Sequence, residues 1–434
     1  MSESSGFIAE GYARRRVPDI QLGGGHRVFF IVAGALCGLP GYVLAAQVVN
    51  GMGLRRAITA FVAGGLLSGL LGAASCYCGA RTRMNLAMLA DEAFGLVGGR
   101  IVKTVIALSL AGWVGVILSV LGATAGATIH SLYGFTFDSA WIAIIAAVAV
   151  MAIALRGVKG LEHVGMVIAP LLLALIAWTL FKGCAPAVPV LPPSAPAAGL
   201  GFGAAVSAVV GEYVVGIVIQ PDYGRFVRRP VSAAVAAGLA LGVAFPCILT
   251  LAAIPTYRCG AADLIGVMVM VGIGLPALAL LVLGAWIDAS ACLYSGSLSL
   301  TNEVERFKLP WVVACTAAFG CVLAVFHAER IFMPFLALLG VAFPPVAAVN
   351  ILHTFSSSAA DEPTAEGRSA PPPYRPVALL AWACGSVSGY FTSHDYFTLT
   401  GIASIDSIVI TAAVWLCGAA ISRRATAVAR VKAS

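Results

Sequence analysis

The stretch GALCGLPGYVL, residues 34–44, interrupts a long apolar segment with Gly38, Pro40 and Gly41 in close succession. Glycine and proline weaken a helix, and backbone groups freed inside a membrane must be satisfied by protein, water or a ligand. A second interruption, VVGEYVVG at residues 209–216, follows five apolar segments later. Interruptions at equivalent places five segments apart are typical of transporters built from inverted repeats.

In the second stretch, Gly211 and Gly216 surround Glu212 and Tyr213, and Pro221 follows shortly afterwards. We predict that these residues break the second segment as the first is broken. The alternative is that the glycines only allow neighbouring helices to pack closely. The spacing by itself leaves both interpretations open.

The composition defines a polytopic membrane protein. The 434 residues are 60% hydrophobic and only 10% charged, which is far from the composition of a soluble domain. Apolar runs of about 17 to 25 residues predict membrane-spanning helices. We number twelve predicted spans, at 27–49, 57–79, 103–128, 138–156, 163–182, 200–220, 231–254, 272–300, 309–327, 331–352, 376–393 and 402–422.

Basic residues predict the orientation. With twelve spans both termini share a side, and 21 of the 26 Lys and Arg residues fall on that side. Because basic residues accumulate in cytoplasmic loops, we predict cytoplasmic termini in an inner or plasma membrane. Anionic lipid then accounts for the net charge of +7, and no nucleic-acid partner is needed.

The pattern divides the chain into a transport core and appended segments. The polar, proline-rich run SSSAADEPTAEGRSAPPPYRP predicts a linker between the first ten spans and the last two. The first 26 residues are polar and lack the apolar core of a secretory signal. The predicted parts are a cytoplasmic arm (1–26), a ten-span core (27–355) with repeats at 27–182 and 200–355, the cytoplasmic linker (356–375), two accessory helices (376–422) and a cytoplasmic tail (423–434).

Two carboxylates lie inside apolar spans. Glu212 is in span 6 and Asp288 is in span 8, whereas nearly all of the other Asp and Glu residues lie between spans. An ionisable group in hydrocarbon is costly, so such residues usually handle substrate, ions or protons. A purely structural role, in which they satisfy donors of broken helices, remains the alternative.

Five motifs in register resemble the nucleobase:cation symporter-1 family, and within it the cytosine permeases. They are GARTRMNLAMLADEAFG (79–95), AGWVGV (111–116), VVGEYVVG followed by DYGRF (222–226), AWIDASACLY in span 8 and AFPPVAAV in span 10. The resemblance implies an all-α LeuT-type fold of two inverted five-span repeats plus two C-terminal helices. It also implies alternating access and uptake of a planar nitrogenous ring.

The same resemblance implies a substrate site. Trp113 would stack on one face of the ring and Tyr213 would contact the other, and the site would also include Gly211, Glu212 and Gly284. Three positions depart from the cytosine permeases, where a glutamine, a serine and an asparagine are replaced by Leu110, Glu212 and Gly284. Because an ionised carboxylate only accepts hydrogen bonds, we expect Glu212 to bind adjacent N–H groups, as in an aminopyrimidine or a purine with a guanine-like edge.

The resemblance further implies a cation site. Sodium would be held by the backbone carbonyls of Gly34 and Cys37 and by two span-8 hydroxyls, which are Ile287 and Asp288 in this sequence. Asp288 either binds sodium through its own charge or carries a proton in place of the ion. We favour the proton.

The predicted function is therefore symport of a nucleobase-like compound, a purine, cytosine or an aminopyrimidine, with H⁺ or Na⁺. An amino-acid or small-amine carrier of the same fold is the alternative, and an integral-membrane enzyme is a remote one because the six histidines are scattered. We expect no catalytic residues, no metal site, no cofactor and no obligate protein partner.

Other polar positions receive structural interpretations. Asp222 and Arg225 at the end of span 6 predict a local ion pair or loop cap, and Asp406 near the start of span 12 is expected to face the outer surface. Cys184 and Cys259 fall in predicted outer loops and could form a disulfide. The small residues of span 2 predict close helix packing.

Overall fold

A computed structural model describes residues 15–154, 158–185, 199–303, 309–356 and 371–433. In these ranges the regular elements are helices, and pairing of the β type is limited to a bridge between Gly23 and Val227. Six helices are long and apolar enough to cross a membrane, and a bent pair in span 1 makes a seventh. The prediction of an all-α membrane protein is confirmed.

Each predicted span has a helix, or a broken pair of helices, at its position in the chain. In chain order these are His26–Ala35 with Leu39–Met52, Leu54–Thr82, Leu96–Tyr133, Ser139–Ala154, Val158–Gly183, Phe202–Val218, Pro230–Leu239 with Phe245–Cys259, Gly274–Glu303, Leu309–Val325, Phe332–Ala342 with Pro344–Ser356, Pro376–Ser393 and Ala403–Ala433. Shorter elements are Asp19–Gln21, Leu86–Phe94, Gln220–Gly224, Ala240–Ala244, Leu264–Met270 and Ala328–Ile331.

The helices pack in two groups. Spans 1, 2, 6 and 7 contact one another, and spans 3, 4, 8 and 9 form a second group. Span 5 packs on spans 7 and 8, span 10 packs on span 6, and spans 11 and 12 pair with each other. In both groups the second pair of helices comes five spans after the first, which is the relationship that an internal repeat produces.

The small residues of span 2 provide the closest packing within the first group. A Cβ atom built on Gly64 would lie 2.6 Å from Cγ1 of Val209, and one on Gly69 would lie 2.8 Å from Cα of Gly242. No larger side chain fits at either place without displacing span 6 or span 7. The prediction of close packing is confirmed.

The two predicted interruptions have different outcomes. Span 1 is broken, since its two helices meet at 62° and Gly38 between them is extended, with φ −69° and ψ 157°. Span 6 is not broken at Gly211 or Gly216, because the helix Phe202–Val218 runs through both. Gly211 packs against the backbone of Leu336, and Gly216 lies under the ring of Tyr213. The expected break was wrong. The close-packing alternative accounts for Gly211, whereas Gly216 is covered by a ring of its own helix.

Asp406 does not face the outer surface as expected. It is fully buried, and its carboxylate accepts hydrogen bonds from the hydroxyls of Thr392, Thr398 and Thr400 and from the N–H of Leu399. The prediction was wrong because the connection between spans 11 and 12 folds back over this carboxylate. Asp406 therefore holds that connection in shape.

Other predicted segments are described only in part. Most of the linker lies outside the described residues, but its end docks on span 3, where the N–H groups of Leu96 and Val97 donate to the carbonyls of Pro372 and Pro373 at 3.0 and 2.8 Å. Span 12 continues as a helix to Ala433, through the predicted tail. The predicted N-terminal arm is described from residue 15 onward.

Cys184 and Cys259, which were expected to be able to pair, are separate thiols in the structure. The Cys259 Sγ lies 3.7 Å from the carbonyl oxygen of Gly183. The two loops are therefore neighbours without being cross-linked.

Candidate functional site

Asp288 and Glu212 converge on the break in span 1. A Cβ atom built on Gly38 would lie 2.9 Å from Oδ2 of Asp288, and one on Gly41 would lie 3.5 Å from Oε1 of Glu212. Gly38 and Gly41 are three residues apart, about one helical turn. Span 6 and span 8 thus each bring one carboxylate to the same short segment of backbone.

The environment of Glu212 leaves it able to take a ligand. Its Oε2 is buried and has no hydrogen-bond partner in the described part of the chain. A buried acceptor without a partner is energetically costly, so a donor from outside the protein would stabilise this carboxylate. Asp288 is half-buried and lies against the extended residue of the break.

Trp113 lies in the middle of span 3 and is 6% exposed. Its ring makes edge-to-face contacts with Phe332, at 6.4 Å between centroids, and with Phe335, at 5.4 Å. Both phenylalanines come from the first half of span 10. The indole is therefore covered by that half-helix, and a ligand stacked on Trp113 would be enclosed by it.

Tyr213 is half-buried, and its ring covers Gly216 one turn further along span 6. The neighbouring Gly211 has no space for a side chain because of Leu336. The ring partners of Trp113 in the described residues come from span 10, so the expected pairing of Trp113 with Tyr213 around a substrate stays a prediction.

Two of the three positions that depart from the family pattern, Leu110 and Gly284, lie in different places. Leu110 of span 3 packs on span 8, with its Cβ 3.2 Å from a Cβ atom built on Gly296. Gly284 faces span 5, where Leu172 Cδ1 would lie 3.3 Å from an added Cβ. Gly284 also borders an apolar cavity, together with Cys37, Leu39, Tyr42, Leu172, Leu175, Ile176, Ile265, Met268 and Ala277. This cavity adjoins the break in span 1 and does not include Trp113, Glu212 or Tyr213.

The carbonyls expected to hold a cation have partners within the protein. The Gly34 carbonyl accepts from the N–H of Cys37 at 3.2 Å. The Cys37 carbonyl accepts from the hydroxyl of Tyr42 at 2.7 Å. Gly34 and Cys37 therefore belong to the end of the first helix of span 1, where the Tyr42 hydroxyl binds, while Asp288 lies against Gly38 of the break.

Polar contacts also join distant segments of the chain at two places outside the break in span 1. Asp222 accepts from the N–H of Leu86 at 2.7 Å, so it caps the short helix Leu86–Phe94 and the loop-cap interpretation is confirmed. Burial raises the pKa of Asp222, while the Leu86 N–H and Arg225 act to lower it. At the other end, Ser119 donates to the Glu329 carboxylate, whose second oxygen contacts Nδ1 of His327 at 3.0 Å.

Sequence reasoning missed Tyr42, Phe332 and Phe335. Tyr42 comes directly after Gly41, so a hydroxyl one residue past an interrupted stretch was a usable signal. Phe332 and Phe335 are three residues apart and therefore share one face of a helix. Nothing local indicates that this face meets Trp113, since that contact depends on how distant spans pack.

Solved transporter structures share this fold. Mhp1, described as a nucleobase-cation-symport-1 family transporter in a closed conformation with bromovinylhydantoin bound, has a TM-score of 0.73 and 18% identity, with 93% of this chain and 94% of that chain covered. A Na⁺-coupled sialic acid symporter gives a TM-score of 0.56 with 11% identity, over 92% and 96% of the two chains. The architecture is that of a membrane transporter.

The sequence comparisons narrow this class. The cytosine permease of Escherichia coli strain K12 is 24% identical over 363 residues, which covers 83% of this chain and 82% of that protein. Residues 23–415 match the family described as permeases for cytosine/purines, uracil, thiamine and allantoin. The chain belongs to that permease family and is a transporter, not an enzyme.

Proposed function

We propose that this chain is a twelve-span secondary active transporter that imports a nucleobase or a related planar nitrogen heterocycle together with H⁺ or Na⁺. It works by alternating access, with spans 1–5 and 6–10 as inverted repeats and both termini in the cytoplasm. The five-span offset between the two packing groups supports the repeats. The distribution of Lys and Arg supports the orientation.

The substrate is a ring that carries adjacent N–H groups, such as an aminopyrimidine or a purine with a guanine-like edge. It donates to Glu212, whose Oε2 has no partner in the described residues, and it stacks on Trp113. Stacking of a base on an aromatic ring contributes about 1–3 kcal/mol. A hydrogen bond to a charged group contributes about 1.5–3 kcal/mol.

One observation carries the proposal: Glu212 and Asp288 meet the same break, at Gly41 and Gly38. A substrate bound at Glu212 and an ion bound at Asp288 then act on a single turn of span 1. Because this turn joins two helices that meet at 62°, its geometry can respond to both ligands. Coupling follows when both must be present before span 1 changes its position.

Binding measurements on purified protein test this proposal. Isothermal titration with adenine, guanine, cytosine, hydroxymethyl-aminopyrimidine and a set of amino acids identifies the ligand class. We expect at least one heterocycle to bind and the amino acids not to bind. Binding of an amino acid with no response to any heterocycle would support the carrier of small amines instead.

The Glu212→Gln variant tests the role of the carboxylate. It should bind the identified heterocycle about 10–100-fold more weakly, because a charged acceptor is replaced by a neutral amide. Asp138→Asn is the matched control, since Asp138 is exposed in the connection between spans 3 and 4, outside the site. Unchanged affinity of Glu212→Gln would contradict the proposed role.

A further inference from the structure

Tyr42 forms a hydrogen bond across the break of span 1. It belongs to the second helix of the span, Leu39–Met52, and is 6% exposed. Its hydroxyl reaches back across the break and donates to the Cys37 carbonyl oxygen at 2.7 Å. The side chain thus satisfies a backbone group that the extended Gly38 leaves outside a regular helix.

The oxygen atoms near the break in span 1 can be compared with the ligands that a sodium ion needs. A hard cation such as Na⁺ needs several oxygen ligands to replace its hydration shell. The four ligands that the family pattern supplies are two carbonyls of span 1 and two hydroxyls of span 8. Here Ile287 offers no oxygen and Asp288 offers a charged carboxylate instead of a hydroxyl.

Each of the two carbonyls of span 1 already accepts a hydrogen bond within the protein. Gly34 accepts from the Cys37 N–H, and Cys37 accepts from Tyr42. The bond from Tyr42 to the Cys37 carbonyl matters more for a cation. The hydroxyl hydrogen carries partial positive charge beside the carbonyl oxygen, so it repels a cation that approaches from that side. A cation would have to displace that hydrogen or bind beside it. The neutral ligand set for sodium does not fit the residues present.

We propose that Tyr42 is a specificity-determining residue for the coupling ion: its hydroxyl holds the Cys37 carbonyl and closes the break of span 1 to sodium. The proposal rests on the proposed function in that span 1 forms the coupling site. It adds that sodium is excluded and names the group that excludes it. Its position also links it to the substrate side, since Tyr42 directly follows Gly41, where Glu212 makes contact.

The Tyr42→Phe variant removes one oxygen atom and keeps the ring that packs in the core. Thermal unfolding of the purified protein is measured without substrate, in sodium chloride and in choline chloride of the same ionic strength. Wild type should unfold at the same temperature in both salts. Tyr42→Phe should unfold at a higher temperature in sodium, because ligand binding to the folded state stabilises it.

The second measurement is the affinity for the identified heterocycle in the two salts. We expect less than a twofold difference for wild type and about a tenfold gain in sodium for Tyr42→Phe, equivalent to about 1.4 kcal/mol. Tyr77→Phe is the matched control, since Tyr77 stacks on Phe355 away from the break. It should behave as wild type.

Two results would overturn the proposal. One is a wild-type protein that sodium stabilises or that binds its substrate more tightly in sodium. The other is a folded Tyr42→Phe variant without any response to sodium. If Tyr42→Phe does not fold, Tyr42→Leu, which also lacks the hydroxyl, takes its place in both measurements. The substrate-free measurement keeps this test separate from the proposed function, which fails independently if no heterocycle binds.

Discussion

Oδ2 of Asp288 lies against Gly38, at 2.9 Å from the position that a Cβ atom would occupy. The carboxylate of span 8 therefore depends on the absence of a side chain at the break of span 1. Since Gly38 has φ −69° and ψ 157°, alanine could adopt the same backbone conformation without strain. A substitution at this position acts through contact with Asp288 and not through backbone geometry.

We predict that Gly38→Ala displaces the Asp288 carboxylate and strongly lowers uptake. Contacts below 3.0 Å require one of the two groups to move, and the carboxylate is the mobile partner. Uptake in proteoliposomes under an imposed ion gradient measures the effect, with substrate binding measured in parallel. Gly201→Ala is the control, because a Cβ atom there meets nothing within 4 Å. Equal uptake by Gly38→Ala and Gly201→Ala would show that this contact is unimportant.

Trp113 provides a second prediction. Trp113→Ala should weaken heterocycle binding by about 10–100-fold, because stacking contributes about 1–3 kcal/mol per base. Titration calorimetry gives the affinity, and Trp311→Ala is the control because Trp311 is 69% exposed at the start of span 9. A Trp113→Ala protein that binds as tightly as the control would limit Trp113 to packing against Phe332 and Phe335.

The sequence predicted the break in span 1 and the close packing of span 2, because both follow from local residue types. Gly38 with Pro40 disrupts a helix wherever it occurs, and a row of small residues allows close approach in most contexts. Gly211 and Gly216 were misinterpreted because glycine has two uses in a membrane helix. For Gly211 a distant partner, Leu336, decides which use applies, whereas Gly216 is covered by the Tyr213 ring of its own helix.

The candidate site, like the fold, could be predicted only in part from the sequence. Glu212 and Asp288 stand out in sequence because their burial is costly, but nothing in the sequence gives their common contact with the break. The bond from Tyr42 to Cys37 depends on the 62° bend, which composition does not specify. Asp406 was misplaced because its ligands, three threonine hydroxyls, belong to a connection whose path is not encoded by hydropathy.

Ser119 and Glu329 fasten span 3 to the connection that leads into span 10. The Ser119 hydroxyl donates to the Glu329 carboxylate, and the Glu329 N–H donates back to Ser119 Oγ at 3.1 Å. Ser119→Ala removes both bonds, so we expect residues 326–342 to exchange backbone hydrogen faster, as local opening becomes easier. Hydrogen-exchange mass spectrometry measures this.

Ser109→Ala is the control for that experiment, because its hydroxyl donates to the Val105 carbonyl of its own helix. Its exchange over residues 326–342 should match that of wild type. If Ser119→Ala also matches wild type, the Ser119 and Glu329 contact does not hold span 10 over Trp113.

Asp222 gives a prediction about pH. Burial raises its pKa above the ordinary value of 3.8, although the Leu86 N–H and Arg225 oppose this. A carboxyl group whose pKa is raised on folding binds protons more tightly in the folded state. It therefore contributes stability below its unfolded pKa, and this contribution is lost as the pH rises through the folded pKa.

Asp222→Asn removes this titration and keeps an oxygen that can accept from Leu86. Its stability should fall less than that of wild type as the pH rises from about 4, the ordinary range of an aspartate, towards neutrality. Unfolding temperatures over this pH range measure the difference, with the exposed Asp395 changed to Asn as the control. A wild-type profile parallel to that of Asp222→Asn would mean that Asp222 ionises in the folded protein as it does in the unfolded chain.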